Sequence, residues 1–525
     1  MSQRRPRRTR PTLAAPSARP DVTPKERRWT GLAVLGAVLA VGAALRIWLS
    51  FNDDGIFWPD EIYQSLEPAH HWVFGTGILP WEFIEGARNW AFPATIALLE
   101  KIGSFISSDP RAYLDLTRLA LSAASVATAF ASYKLARGYG AARLSAAAGA
   151  GLYALAAPAI YLAPRAFSET ASALPAALGL AFALPRGSDR RARIIGAALI
   201  GIAVLFRLQN AIFAVGLLAV LLWRRDRRSL VDTTAVLVGA AAIYGLIDWV
   251  TWGKPFDSAR QYIAVNLATP DLIANFGDVA VRTQLDQYFP PIGYYAQYLM
   301  TSMGLPLLVA LVLGLFAWRR ASDLWLIGLA FFVVHSLIPH KELRYVVPVL
   351  PLLGAVAAIG IDEAARMIRR QSWVAPVLAA ALVLACGISA ATFHDLTFAQ
   401  LGVQATRLVS NENGELVPWR APTANAYDDP GGVNRLLLAA RATPDLCGIK
   451  VEAVLPELQG GYTYLDRAVP LYRLGGPART SSFFNYVIAL QTAAPQGDVR
   501  ATDSGMALIR LGSTCAPDPA FNGRL

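Results

Sequence analysis

The chain has 525 residues, of which 54% are hydrophobic and only 16% charged, and its mean hydropathy is +0.39. Soluble domains run near a quarter charged, so most of this polypeptide cannot face water; a disordered chain, a coiled coil and a small disulfide scaffold are excluded too. Lys and Arg total 48 against 37 acids, a net charge of +11, whose meaning depends on where the cations sit.

The first 28 residues hold nine Lys/Arg and two acids among Pro and Ser, and segment 1–29 reads as a disordered basic tail. Residues 30–50 are apolar over the ~20 residues that one bilayer crossing needs. A cleaved signal peptide is the weaker reading, because no small-residue site followed by a polar mature start appears. The positive-inside rule puts the tail in the cytoplasm. Further apolar stretches at 112–136, 142–162, 168–185, 194–206, 211–223, 230–250, 299–318, 322–338, 345–361 and 374–391 predict, with the first, eleven spans within 30–391 and an external C-terminus. The basic clusters between them then fall inside, provided that 91–107, with Glu100 and Lys101 at mid-segment, lies on the outer surface as an interfacial helix. The nucleic-acid reading falls with this topology.

Stretches 194–206 and 211–223 are short: at ~1.5 Å per residue each reaches ~20 Å into a ~30 Å core. They predict a hairpin whose turn, Arg207-Leu208-Gln209-Asn210, sits below the outer surface. Polar backbone at that depth needs protein or a wet cavity around it, so an outward-opening cavity is implied. Three external pieces remain: a long first loop at 51–111, a second at 251–298 and a water-soluble tail at 392–525. In the tail, GIKVEAVLP, AVPLYRL, FNYVIAL and GMALIRL read as strands and GGVNRLLLAARA as a helix, which makes a small α/β domain.

Acids concentrate just outside the first span, in Trp58-Pro59-Asp60-Glu61-Ile62-Tyr63-Gln64-Ser65-Leu66-Glu67. Pro59 suits a first helical turn, and Asp60 and Glu61 favour a helix N-terminus, so a well-capped surface helix explains the run. The functional reading is a carboxylate held at the membrane surface as general base for a hydroxyl. Two more polar sets follow. Glu82 and Arg88 lie in an aromatic stretch that an interfacial belt would also explain. His340-Lys341-Glu342-Leu343-Arg344-Tyr345 places cations outside, against the inside bias, as expected for a held phosphate. Snorkelling or a pair with Glu342 is the plainer account. Arg165 and Arg207, also on the outer side, can join either role. Asp53 and Asp54 would admit a divalent cation, though a turn at the membrane surface explains them equally. No other metal set is evident.

These residues carry a resemblance. WPDEIYQSLE resembles the "HPDE…Q…E" first-loop signature of the lipid-phosphate-mannose-dependent mannosyltransferases, glycosyltransferase family 22 of the GT-C superfamily. WEFIEGARNWAFP is similar to its "WEF…G.RS…P" stretch and HKELRYVVPVLP to its "HKE.RF..P..P" stretch. GGYTYLDRAVPLY resembles an element of its bacterial members. Trp58 stands where the family usually has His, and Asn89 where it has Ser. The resemblance implies a GT-C fold of transmembrane helices with a catalytic first loop. It also implies an inverting transferase moving a sugar, mannose by the family's habit, from a polyprenyl-phosphate donor to a lipid-linked glycan or glycolipid. Carried over residue by residue, Asp60 is the base and Glu61 its neighbour. Lys341, Arg344, His340 and Arg207 are expected near the donor phosphate, and Gln64, Glu82, Arg88 and Glu342 near substrate. Gly461 and Tyr462 are expected to cover the site, Tyr462 with a stacking face. No cofactor is certain; partners are donor, acceptor and membrane lipid. The abundance of Arg and Ala and the likeness to bacterial members point to a bacterial inner membrane, and the charge topology puts the active site and tail domain on the extracytoplasmic side.

Competing readings keep the GT-C fold with another sugar, or with a protein or lipid A acceptor; a transporter fits less well, since no internal repeat is visible. Cys447 and Cys515 both lie in the outer domain and are expected to pair in an oxidising compartment.

Overall fold

The computed structural model describes residues 24–267, 292–338, 341–368, 372–397, 400, 406–410, 416–420, 429–454, 458–474, 476–479 and 481–522. Among them, six helices are long and apolar enough to cross a membrane: Trp29–Asn52, Pro110–Gly138, Arg227–Trp252, Trp318–Leu337, Leu343–Met367 and Val374–Ala391. A seventh crossing arises if Tyr294–Met303 and Leu305–Phe316 count as one. The first helix begins at Pro24, inside the segment expected to be disordered.

Besides these long helices, four shorter apolar ones form. Arg143–Ala154, Ser168–Ala183, Arg190–Phe206 and Ala211–Trp223 have 12, 16, 17 and 13 residues. The first of these is buried from Ser145 to Ala154. A helix wrapped in protein faces no lipid, so its length need not match the bilayer. The expected span 142–162 also breaks, with a separate short helix at Ala157–Tyr161 carrying Pro158 in its first turn. The expected span 299–318 is bent by 114°, and the cause is local. Gly304 takes φ +55°, a conformation that L side chains rarely adopt, and Pro306 in the next first turn has no N–H to continue the ladder.

The short hairpin forms as expected, with a 3₁₀ turn at Leu208–Asn210 joining its helices. Helix Ala91–Ile106 also forms, burying Phe92, Ile96 and Glu100 while Leu98, Ile102, Phe105 and Ile106 stay exposed. That is the two-sided pattern of a helix lying at an interface. Glu100 has neither carboxylate oxygen hydrogen-bonded among the described residues. Burial pushes its carboxyl well above the ordinary 4.5, and Glu67 and Asp466 add to the rise. The folded state therefore keeps a proton that the unfolded chain releases, so stability falls as pH climbs above about 4.5 toward the folded value. Glu100→Gln is expected to remove that slope and to be at least as stable as the parent at neutral pH. Melting curves across pH check it; a parallel slope in the variant would contradict the assignment.

The tail carries a two-stranded antiparallel ladder, β1 (Thr406–Ser410) with β2 (Leu416–Arg420). Beyond it lies a mixed sheet of β3 (Ile449–Val451), β4 (Leu471–Tyr472), β5 (Tyr486–Leu490), β6 (Asp498–Asp503) and β7 (Met506–Arg510) in the order β4-β3-β5-β7-β6. The helix Gly432–Arg441 covers it with Val433, Leu436 and Leu437. Four of these strands and the helix match the expected ones; β6 is an addition. One apolar core runs from Ile62, Ala69, Phe92 and Tyr113 of the membrane part into Leu437, Tyr462 and Ile488 of the tail. The sheet is thus packed onto the first loop.

Cys447 and Cys515 are bonded to each other, Cα atoms 5.8 Å apart, and Cys386 is a buried free thiol. Closing a loop across 68 residues is worth about 4 kcal/mol in the chain-entropy account. Reduction is expected to lower the melting point of the tail domain, and mass spectrometry without reductant should find neither thiol free.

Candidate functional site

The first loop is built around Arg165. Its guanidinium lies 4.4 Å from the centre of the Tyr161 ring and donates to Gly55 O (2.9 Å), to both oxygens of Glu61 (3.1 and 3.2 Å) and to Asp53. Glu61 Oε1 also accepts from the backbone N–H of Phe57 and Trp58. With Pro59 opening the helix, the capped-helix reading holds for Glu61, which turns inward to Arg165. Burial pushes Asp53 up to about 6, against the pull of Arg165. Asp54 is held below the ordinary range, Arg118 and Arg111 outweighing its burial. Both aspartates expected to admit a cation are thus engaged by arginines.

Asp60 turns the other way. After it the helix widens into a π-turn, Ile62–Leu66, a form frequent where a side chain must be re-aimed. The Asp60 carboxylate accepts from Nη2 of Arg344. It lines a polar cavity of about 520 Å³ together with Gln64, Arg88, Glu169, Arg207 and Arg344. Arg344 is fully buried, with Nε 2.7 Å from Glu342 and 3.4 Å from Glu169. Arg207, also buried, has Nη2 3.1 Å from Glu169 Oε1, yet none of its three nitrogens makes a well-formed hydrogen bond among the described residues. Its guanidinium packs on the rings of Tyr345 and Tyr262 at 4.8 and 5.5 Å. Arg88 also packs on the Tyr262 ring, at 5.3 Å. Three guanidinium groups line one cavity, and N–H donors of an arginine that are not spent on protein acceptors suit an anion.

Glu82 accepts from Gln64 Nε2 at 2.9 Å. Burial raises its carboxyl and Arg88 offsets part of the rise, while Asp60 adds to it. The other expected residues fall elsewhere. Lys341 is buried but does not line the cavity. Glu342 accepts from Tyr345 Oη at 3.1 Å and braces Arg344 rather than facing the space. His340 lies outside the described residues.

Gly461 and Tyr462 dock the tail instead of presenting a ring. Glu67 Oε1 accepts from Thr463 N–H and Oγ1, and a Cβ on Gly461 (φ +58°) would stand 2.6 Å from the Glu67 carboxyl carbon. Tyr462 is fully buried and its hydroxyl donates to Val469 O. From this part of the tail it is Gln459, Leu471 and Tyr472, not Gly461 or Tyr462, that line a cleft shared with Asp60. Glu169 was missed. Its signal was an acid four residues after Arg165 in an otherwise apolar run.

Apolar helices long enough to cross a membrane, packed with a first loop that carries Asp60 and with a small mixed sheet, make this a polytopic membrane protein of the GT-C fold. The fold is shared with ArnT from Cupriavidus metallidurans bound to undecaprenyl phosphate (TM-score 0.54, 15% identity, covering 94% of this chain and 99% of that one). It is shared also with the Archaeoglobus fulgidus oligosaccharyltransferase (TM-score 0.52, 13% identity, 88% and 69%). Residues 37–406 match the Alg9-like mannosyltransferase family, and the chain belongs to that family. GPI mannosyltransferase 3 of Yarrowia lipolytica is 30% identical over 362 residues, 67% of this chain and 66% of the relative's length. Its Schizosaccharomyces pombe counterpart is 24% identical, covering 63% and 67%. These relatives are eukaryotic and lend no support to a bacterial-type member or to a bacterial inner membrane.

Proposed function

We propose that the protein transfers a mannosyl residue, with inversion, from a polyprenyl-phosphate carrier to a hydroxyl of a lipid-linked glycan or glycolipid. The observation that carries this is Asp60 lining one cavity with Arg344, to which it is hydrogen-bonded, and with Arg207, which is paired with Glu169 but makes no well-formed hydrogen bond among the described residues. A donor phosphate there takes guanidinium hydrogen bonds and draws Arg344 off Asp60. The freed carboxylate accepts the proton of the acceptor hydroxyl as its oxygen attacks the anomeric carbon. The new C–O bond forms on one face while the bond to phosphate breaks on the other, and the departing electron pair stays on the lipid phosphate, where the arginines stabilise it. The transition state carries oxocarbenium character as in glycoside hydrolysis, and phosphate needs no acid to leave.

Support for a lipid carrier lies below the polar cavity. The 3₁₀ segment Leu343–Val349 carries Arg344 at one end and Val349 at the other, and Val349 lines an apolar cavity of about 910 Å³ with Leu299, Trp325 and Phe332. The carrier's chain would run there. The membrane orientation belongs to the same proposal: basic face inside, cavity outside, with the four short helices completing eleven crossings. The names of the relatives and the undecaprenyl phosphate on ArnT agree with this reading.

The test is transfer of labelled mannose from a synthetic polyprenyl-phosphate donor into membrane glycolipid by purified protein. Labelled lipid product with inverted stereochemistry is expected. Transfer from a different polyprenyl-phosphate sugar, with none from the mannosyl donor, would overturn the choice of sugar.

A further inference from the structure

Glu169 faces the same cavity as the arginines proposed to hold the donor phosphate. It stands in the first turn of the helix Ser168–Ala183 and is 3% exposed. Its Oε2 accepts from Ser168 Oγ at 3.1 Å. Its Oε1 lies 3.1 Å from Arg207 Nη2 and 3.4 Å from Arg344 Nε. Neither approach is a well-formed hydrogen bond: Glu169 Oε1, the three Arg207 nitrogens and Arg344 Nε all lack one among the described residues. The carboxylate therefore balances two cations without occupying the N–H groups that face it. A second anion can take those donors, but only against the repulsion of the first. The charges around the cavity nearly cancel, with Arg88, Arg207 and Arg344 set against Asp60, Glu169 and the Glu342 that braces Arg344.

The proposed reaction changes the charge of what is bound. A polyprenyl-phosphate sugar is a phosphodiester with a single negative charge. When the bond from phosphate to the anomeric carbon breaks, its electron pair stays on the phosphate oxygen. The carrier is then a phosphate monoester, with about −1.5 to −2 charges at pH 7. Arginines that stabilise this charge as it develops also hold the product more tightly than the donor. A product that stays bound slows the next turnover. A fixed carboxylate on the same two arginines opposes that, because its repulsion grows with the charge of the ligand.

We propose, building on the transfer reaction above, that Glu169 is a positioning residue acting through Arg207 and Arg344 as a built-in competitor of the lipid phosphate. It takes back the two guanidinium groups as the used carrier leaves, and so limits inhibition by product. A purely structural role, one acid balancing two buried cations, predicts the opposite sign: without the acid the arginines would lose their aim and the phosphate would bind more weakly.

The test uses full-length protein in lipid nanodiscs, radiolabelled undecaprenyl phosphate as the probe and protein-free discs as the blank. Glu169→Gln keeps the shape of the side chain and removes its charge. It is expected to bind undecaprenyl phosphate about tenfold more tightly than wild type. Because the repulsion scales with ligand charge, unlabelled undecaprenyl-phosphate mannose should gain only about threefold as a competitor. Undecaprenol, which carries no phosphate, should compete equally in both proteins. In transfer assays kcat should fall and product inhibition sharpen, while the donor KM does not rise. Should Glu169→Gln fail to fold, Arg207→Gln is compared with the double variant Arg207→Gln/Glu169→Gln, which removes both partners of the pair. The double variant should bind undecaprenyl phosphate about tenfold better than the single one. Unchanged or weaker binding by Glu169→Gln, or no gain from the single variant to the double, would overturn the role of Glu169. Wild-type discs that retain no more probe than protein-free discs would overturn the phosphate site itself and this role with it. Binding needs no turnover and the carrier is the same for every sugar, so a wrong choice of donor sugar would show separately, as bound carrier without mannosyl transfer.

Discussion

Replacing Asp60 by Asn is expected to lower transfer by about 10²–10⁴ while donor binding persists, the range for losing one general base. The substitution keeps the shape and one carbonyl oxygen for Arg344 to donate to, so the loop should hold. What disappears is the negative charge that receives the proton. Initial rates with purified protein, set beside donor affinity measured separately, check both halves of the statement. Turnover equal to wild type would move the role to Glu82, which lines a cleft together with Asp60 and lies close enough for Asp60 to raise its carboxyl. Glu61 is not the substitute, since Arg165 and two backbone N–H groups already hold its carboxylate.

Arg344→Ala is expected to weaken donor binding more than acceptor binding and to cost stability as well. The guanidinium joins Asp60, Glu169 and Glu342 at a position 1% exposed in its side chain. Removing one partner from a buried ion pair leaves uncompensated charge and typically costs ~3–5 kcal/mol. Arg344→Lys restores the charge without the fork, so it should recover most of the stability and little of the donor affinity. Separate donor and acceptor affinities in the two variants check this. A shift in acceptor affinity alone would assign Arg344 to the other side of Asp60.

Charge in an apolar chain is conspicuous, and that made much of this site legible. Asp60, Arg207 and Arg344 stand out because each is costly near a bilayer, and the hairpin could be placed because two helices were visibly short. Pairing was not legible. Arg344 meets Asp60 across 284 residues, and no local pattern encodes that meeting. Glu169 is a single acid with no motif, and its value lies in standing between two arginines brought from distant helices. Tyr462 misled because a Gly-Gly-Tyr turn beside a strand looks exposed; only the packing of the tail on Glu67 reveals that it is covered. The unequal lengths of the apolar helices were not legible for a related reason. Apolar composition marks helices removed from water but does not distinguish lipid from protein as the shelter, and Arg143–Ala154 is sheltered by protein.

The bond between Glu67 and Thr463 also bears on how the chain matures during synthesis. Its partners are 396 residues apart, and the cleft that shares Asp60 has walls from the same two distant regions. The loop bearing the proposed base is made early, yet the carboxylate of Glu67 finds Thr463 only after the last helix has been made and the tail has folded. At the ribosome's pace of about 5–20 residues per second, the first loop waits some tens of seconds for its other wall. Until then Glu67 lacks the donors that Thr463 supplies, and the cleft beside Asp60 lacks one of its walls.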